Sequence, residues 1–254
     1  MNSNECLYCR KDRHLPLRFS RLLAAEDSPG FCASCLSRLS PINPQTSCAG
    51  CGRDLRLLPA EHHADGYCRD CRAWSAQDVD KYGRNTALFS YNDWMKEIFS
   101  AFKFRGDICL MEGFKKEWRD AYHRLTGRSW RDFWRRGANQ DNPLLVPIPI
   151  SRQRLTERGF NQADVLAQLL DGLIVPALSH DQGGGKQSKK NKRERMTMEN
   201  NPFHLLPQWS EQLAGRRLLI IDDIYTTGAT IRKAATSLAS AQPAAIDSLT
   251  LIHG

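Results

Sequence analysis

The sequence has no apolar run near the ~18–20 residues that a membrane helix needs, so membrane insertion is not expected. The opening residues, Met1 to Cys6, have no basic segment leading into an apolar one, so no secretory signal is read there and a cytoplasmic location is expected. No fixed-period repeat runs along the chain, although the two halves of its cysteine-bearing region echo each other. Wholesale disorder is also excluded, because 41% of residues are hydrophobic and only 25% charged, an ordinary globular balance. With 254 residues the chain holds one or two domains and can bury a core. Thirty-six Lys and Arg against 28 Asp and Glu give a net charge of +8, which suits an anionic partner such as nucleic acid or a phosphate ester.

What the sequence does have is cysteine. Eight of its nine cysteines form four Cys-x-x-Cys pairs: Cys6/Cys9, Cys32/Cys35, Cys48/Cys51 and Cys68/Cys71. Four thiolates around a tetrahedral Zn²⁺ make a closed structural site, so eight sulfurs supply two such ions with no open coordination position. The simplest grouping is local, the first four cysteines on one ion and the last four on the other; a crossed grouping is also open. Disulfides compete with this reading but do not suit a chain without a secretory signal. A thioredoxin-like role lacks the surrounding βαβ pattern. His14, His62 and His63 are read as solvent-facing, because four cysteines per site leave no vacancy. The ninth cysteine, Cys109, stands in an apolar setting and is expected to be a core thiol.

Composition divides the chain near residue 75. Residues 1–75 carry every paired cysteine and many turn formers with few apolar runs, so this Cys-rich, zinc-binding module needs a metal to hold it together. Residues 76–254 read as α/β. Short strands are expected at Thr86–Tyr91, Leu144–Ile148, Leu218–Ile221 and Ile246–Ile252. Helices are expected at Trp94–Phe104, Cys109–Leu125, Phe160–Leu173 and Thr226–Ser240, with a polar loop over 179–202.

The most informative stretch runs from Leu218 to Thr230. Four apolar residues form a strand buried on both faces, with Asp222 and Asp223 at its C-terminal end, where ligands gather in open α/β sheets. Thr226-Thr227-Gly228-Ala229-Thr230 then opens a helix, whose free N–H groups and dipole attract an anion. One turn thus offers acid for sugar hydroxyls and a cradle for phosphate, the two ends of a ribose 5-phosphate. This stretch resembles the phosphoribosyl pyrophosphate (PRPP) motif of type I phosphoribosyltransferases. The resemblance implies that Asp222 and Asp223 contact the ribose hydroxyls and that Tyr225 to Thr230 wrap the 5-phosphate. Upstream, Val146-Pro-Ile-Pro149 precedes Ser151, Arg152, Arg154 and Arg158 and then Gly159-Phe160-Asn161-Gln162. Guanidinium forks match the oxygens of a pyrophosphate.

Taken in order, the four cysteine pairs, Phe102-Lys103-Phe104-Arg105-Gly106-Asp107, the Arg-Gly-Phe-Asn-Gln block and the Asp-Asp-to-Thr-Thr-Gly block resemble the ComF family of competence proteins (ComFC/GntX-like) over nearly the full length. The resemblance implies a double zinc-ribbon-like module followed by a type I phosphoribosyltransferase-like parallel sheet flanked by helices. It implies PRPP with Mg²⁺ as ligand, Ser151 and Arg152 in the pyrophosphate loop, and a role for Asp222, Asp223 and Arg152 in any transfer chemistry. It also implies single-stranded DNA, a competence helicase and DNA-uptake proteins as partners. Gln187, Arg195 and Phe203 meet the family's pattern for a flexible segment over the site. In that segment Lys186, Lys189, Lys190, Lys192, Arg193 and Arg195 read either as a nucleic-acid contact or as a solvated charge run. Trp94, Trp118, Tyr122, Trp130, Phe133 and Trp134, interleaved with cations, read as the apolar face of charged helices in preference to base-stacking groups. Two functions are carried forward: a binding protein for PRPP and single-stranded DNA, and a phosphoribosyltransferase with an acceptor yet to be identified.

Overall fold

The computed structural model describes residues 4–13, 29–75, 82–127, 142–181 and 201–254. In chain order its strands are β1 (His63–Ala64), β2 (Tyr67–Cys68), β3 (Tyr82–Ser90), β4 (Leu144–Pro147), β5 (Leu178–His180), β6 (Phe203–Leu205), β7 (Arg217–Tyr225) and β8 (Ala245–His253). The α-helices are α1 (Ala33–Leu36), α2 (Arg69–Ser75), α3 (Asp93–Arg105), α4 (Lys115–Thr126), α5 (Arg152–Arg158), α6 (Gln162–Gln168), α7 (Ser210–Leu213) and α8 (Ala229–Ala239).

Four strands make an all-parallel sheet in the order β3-β8-β7-β4. Leu218 to Ile221 of β7 lie inside it with at most 2% of their surface exposed, as a central parallel strand with both faces covered requires. Alternation sends Leu219 and Ile221 to a core shared with α3, α4 and α6, and Leu218 and Ile220 to a core shared with α8 and the β5–β6 hairpin. Each cysteine group joins a different core. Cys6, Cys32 and Cys35 pack on the α3 side, and Cys48, Cys51, Cys68 and Cys71 on the α8 side.

The cysteine-bearing region also covers the open edge of the sheet. Ile42 N–H donates to Leu88 O, Ser90 N–H to Ser40 O and Asn85 N–H to Gly50 O, all within 2.9 Å, so β3 is not left as a bare edge. Gly52 adopts φ +76 and sits so close to β3 that a Cβ would lie 2.9 Å from the Ala87 nitrogen. The buried Asn85 amide locks the junction by donating to Cys51 O and Thr250 Oγ1, each at 3.0 Å, and accepting from Ser248 Oγ at 2.8 Å.

The structure corrects the local reading in several places. Cys109 is exposed, not a core thiol. The helix expected over 109–125 is two pieces, a 3₁₀ turn at Ile108–Phe114 followed by α4. The tighter winding turns Leu110, Met111 and Phe114 inward and leaves Ile108 and Cys109 outside. The helix expected from Phe160 is only the seven residues of α6. The loop expected over 179–202 is bounded by the antiparallel pair β5 and β6, while residues 182–200, with the basic run Lys186–Arg195, lie outside the described residues. His14, Trp130, Phe133 and Trp134 also fall outside them, whereas Trp94, Trp118 and Tyr122 are buried as apolar-face residues.

Candidate functional site

The C-terminal ends of the parallel strands open into a cleft of about 1290 Å³. Its floor is the turn between β7 and α8, with Asp222, Asp223, Thr226, Thr227, Ala229 and Thr230 on its lining. Gly228 takes φ +80 and serves as the N-cap of α8; as a glycine it supplies no side-chain cap, and among the described residues the side-chain oxygen against the first turn is Thr227 Oγ1, which accepts from Ala229 N–H at a long 3.5 Å. A side chain at Gly228 would collide with the Tyr225 hydroxyl, and Tyr225 itself is buried beneath the turn.

The two carboxylates have unequal surroundings. Asp223 is 9% exposed and forms an ion pair with Lys103, which reaches in from the end of α3. Asp222 receives the Asp223 N–H on Oδ1 at 2.9 Å. Desolvation first, and the neighbouring Asp223 charge second, push Asp222 well above the usual carboxylate range. A carboxyl group held in this way favours partners that donate hydrogen bonds or carry positive charge, such as sugar hydroxyls and a divalent cation.

The opposite wall comes from the segment after β4. Ser151 Oγ caps α5 by accepting from Arg154 N–H, and Arg152 is exposed. Neither lines the cleft; the arginines that do are Arg154 and Arg158, the latter held by Gln162 Oε1 at 2.9 Å. Asn161 caps α6 and ties it to the strand end by donating to Ile148 O at 3.0 Å. The hairpin adds His180, Pro202 and Phe203 to the lining.

The third wall is a surprise. Arg53, Asp70 and Trp74, all from the second cysteine group's surroundings, line the same cleft. Trp74 is 2% exposed and donates its indole N–H to the Thr227 carbonyl at 2.7 Å. The Arg232 guanidinium of α8 lies 4.9 Å from the Trp74 ring and 5.2 Å from the Tyr82 ring. Arg53 pairs with Asp70 at 3.0 Å and reaches Gly254 O at 3.4 Å, and Gly254 N–H returns to Tyr225 O at 2.9 Å. His253, at the end of β8, has its ring 5.1 Å from Tyr225 and its Nε2 3.2 Å from Cys51 Sγ. The turn that opens α8 is therefore braced by the second cysteine group and its flank.

The eight paired cysteines gather locally, Cys6, Cys9, Cys32 and Cys35 in one group and Cys48, Cys51, Cys68 and Cys71 in the other, with the sulfurs of each group within 4.8 Å of one another. Neighbouring sulfurs stand 3.7 Å apart in both groups. A tetrahedron with Zn–S bonds of ~2.3 Å has edges of about 3.8 Å, so the quartets fit the metal. Backbone N–H groups already point at the sulfurs, Cys32 N–H at Cys6 Sγ and Cys68 N–H at Cys48 Sγ, as thiolate acceptors require. Bonds from Cys51, Cys68 and Cys71 hold the Cys48 thiol far down toward thiolate, and the same crowding pushes Cys51 up; a bound cation relieves that conflict. Each group can hold a zinc ion.

A phosphoribosyl transferase domain family matches residues 155–254, the stretch from α5 through β8. Over 251 residues the chain is 34% identical to Competence protein ComFC of Bacillus subtilis, covering 98% of this chain and 94% of that protein. The chain belongs to the ComFC family of competence proteins. Its ComFC relative in Streptococcus pneumoniae is 29% identical over 250 residues, spanning 98% of this chain and all of that one. A shorter likeness, 32% over 100 residues, is to DNA utilization protein YhgH of Escherichia coli. For this ComFC-family chain the fold is the expected one: a phosphoribosyltransferase-type parallel sheet behind two four-cysteine groups. Among the described residues no helix is long and apolar enough to cross a membrane.

Sequence reasoning found the acid pair and the threonine turn, and the structure brings them to one cleft. It missed Trp74, Arg53 and Asp70 as cleft residues, because nothing in their local sequence marks them. Lys103 carried a signal, its place in the Phe-Lys-Phe-Arg-Gly motif of the ComFC family, but its partner could not be read from the chain.

Proposed function

We propose that this ComFC-family protein binds PRPP, or a related ribose phosphate, together with Mg²⁺ in the cleft, and holds single-stranded DNA beside it. In this role it assists uptake of transforming DNA on the cytoplasmic side, alongside a competence helicase and DNA-uptake proteins. The observation that carries the reading is the joint placement of Asp222, Asp223 and the Thr226–Thr230 turn at the end of β7. The carboxylates suit ribose hydroxyls, and the glycine-capped start of α8, held only by the long Thr227 contact, suits the 5-phosphate. Arg154 and Arg158, on the lining of the same cleft, offer guanidinium forks to a pyrophosphate, and Asp222 and Asp223 are the carboxylates that would hold Mg²⁺, which would supply charge neutralisation of the phosphate oxygens. Membership among competence proteins supports the DNA-uptake half.

A transferase reading is favoured by one observation. The cleft exceeds the ~300–1,000 Å³ common for a single small ligand, and the second cysteine group lends it a wall on which an acceptor could rest. Calorimetric titration of PRPP with Mg²⁺ tests the shared premise. Heat of binding is expected for the wild type, with an affinity roughly 10-fold or more weaker for Asp222→Asn, as loss of a charged hydrogen-bond partner costs about 1.5–3 kcal/mol. Two zinc ions per chain should remain in both. No binding by the wild type, or equal affinities, would overturn the reading. Pyrophosphate release on adding a panel of nucleobases would move the protein to the transferase class.

A further inference from the structure

We propose that Phe104, with Arg158 and Arg154 beside it, is a stacking platform on which a base of single-stranded DNA lies at the rim of the cleft. The proposal rests on the DNA half of the function above and adds the place where the strand lands.

Phe102, Lys103 and Phe104 occupy consecutive positions near the end of α3, about 100° apart around its axis. Each goes its own way. Phe102 is fully buried, with its ring 5.1 Å from Phe160. Lys103 turns to the acid pair. Phe104 turns to solvent and is 78% exposed, the most exposed large apolar side chain among the described residues. The backbone there is fixed by Gly106, whose left-handed φ of 71° ends the helix. The ring is therefore presented by a rigid helix end, and no packing accounts for an aromatic at this position.

Its neighbours are cations. The Arg158 guanidinium stands 5.9 Å from the ring centroid, anchored by its bond to Gln162. Arg154 lies one turn earlier on α5 and shares the cleft lining with Arg158 and Lys103. Arg105, 70% exposed, follows Phe104 in the chain and pairs with Asp107 at 3.6 Å. An exposed aromatic ring with one guanidinium against it and further arginines close by on the same two helices matches a polymer that alternates flat bases with phosphates. A duplex keeps its base faces covered, so the matching strand is single. A protein partner would call for a continuous apolar patch, whereas the exposed large apolar side chains among the described residues on these two segments are single ones, Phe104, Ile108 and Leu155, set among charged residues. Because Lys103 and Phe104 share one helical turn, a base on this platform lies next to the ribose phosphate site.

The experiment measures the affinity of the full-length, zinc-loaded protein for a fluorescent oligothymidylate across a range of salt. Phe104→Ala is expected to bind roughly 5- to 100-fold more weakly, with the same salt slope, since stacking and not a phosphate contact is lost. Arg154→Ala/Arg158→Ala should flatten the salt slope. Phe104→Trp should keep the affinity, and the emission of the introduced indole should be quenched on adding the oligonucleotide. Ribose 5-phosphate affinity should be unchanged in Phe104→Ala. The side chain is exposed, so these variants keep their fold, and a melting curve checks it. Wild-type binding with equal affinity in Phe104→Ala, or no quenching of the introduced indole in Phe104→Trp, overturns the platform and leaves the DNA-binding reading standing. No oligonucleotide binding by the wild type overturns both.

Discussion

Replacing Trp74 by Phe removes one N–H and leaves an aromatic ring in the same place, which isolates the brace between the second cysteine group and the turn that opens α8. The lost bond is the 2.7 Å contact to the Thr227 carbonyl, made from a side chain only 2% exposed. A buried carbonyl left without its donor costs about 1–3 kcal/mol. Thr227 is half-buried, so water can recover part of that and a loss of about 1–2 kcal/mol is expected. For a chain of this size the melting temperature should fall by roughly 2–8 °C. The carbonyl belongs to the turn proposed to hold the phosphate, so the same energy bears on the turn's shape, and ribose 5-phosphate affinity should drop by about 5- to 30-fold. Calorimetric titration with ribose 5-phosphate reads this effect. Inorganic pyrophosphate, which answers to the arginine wall, should bind as before, and zinc content should stay at two ions. A lower melting temperature with ribose 5-phosphate affinity within about twofold of wild type would refute the reasoning and reduce Trp74 to ordinary packing.

Three further outcomes are expected. Asp222 keeps its proton to a higher pH in the folded chain than when unfolded, so its charge destabilises the fold progressively as pH rises from ~3.9 through the raised value. Asp222→Asn should therefore melt higher than wild type at pH 7, with the gap closing toward pH 4; a lower melting temperature at neutral pH would count against the burial and repulsion assigned here. Gly228→Ala must place a side chain at φ +80 against Tyr225, and a loss of about 1–3 kcal/mol together with weakened ribose 5-phosphate binding should show in melting and titration. Cys48→Ser should release one zinc ion and weaken ribose 5-phosphate binding, whereas Cys6→Ser should release one and leave that binding near wild type, because among the described residues it is the flank of the second group, Trp74, that bonds the turn; metal analysis beside the titration separates the two.

Much of this protein could be read along the chain. Several signals carried by residues near one another in sequence reappear in the structure: the local grouping of the paired cysteines, the buried run Leu218–Ile221, the acid pair after it, and the turn that opens α8. Periodicity failed at Cys109 because a 3₁₀ turn and an α-helix share apolar spacing over a few residues but send the next side chain to different sides. It also overran α6, whose apolar pattern continues past Gln168 into irregular backbone that still packs on β4.

The sequence by itself thus determined the chemistry available: eight thiols in metal-ready pairs, a carboxylate pair, a phosphate-sized turn and a surplus of cations. Only the tertiary structure decided which of these meet. Trp74 bonds a turn more than 150 positions away, and Arg53 and Asp70 line the same cleft, because the cysteine-bearing region lies along the free edge of β3 and continues to the strand ends. Lys103 finds Asp223, and Phe104 finds water, by a rotation of about 100° on one helix. Such meetings depend on how whole elements pack, and packing is a property of the assembled layers, which no window of sequence contains.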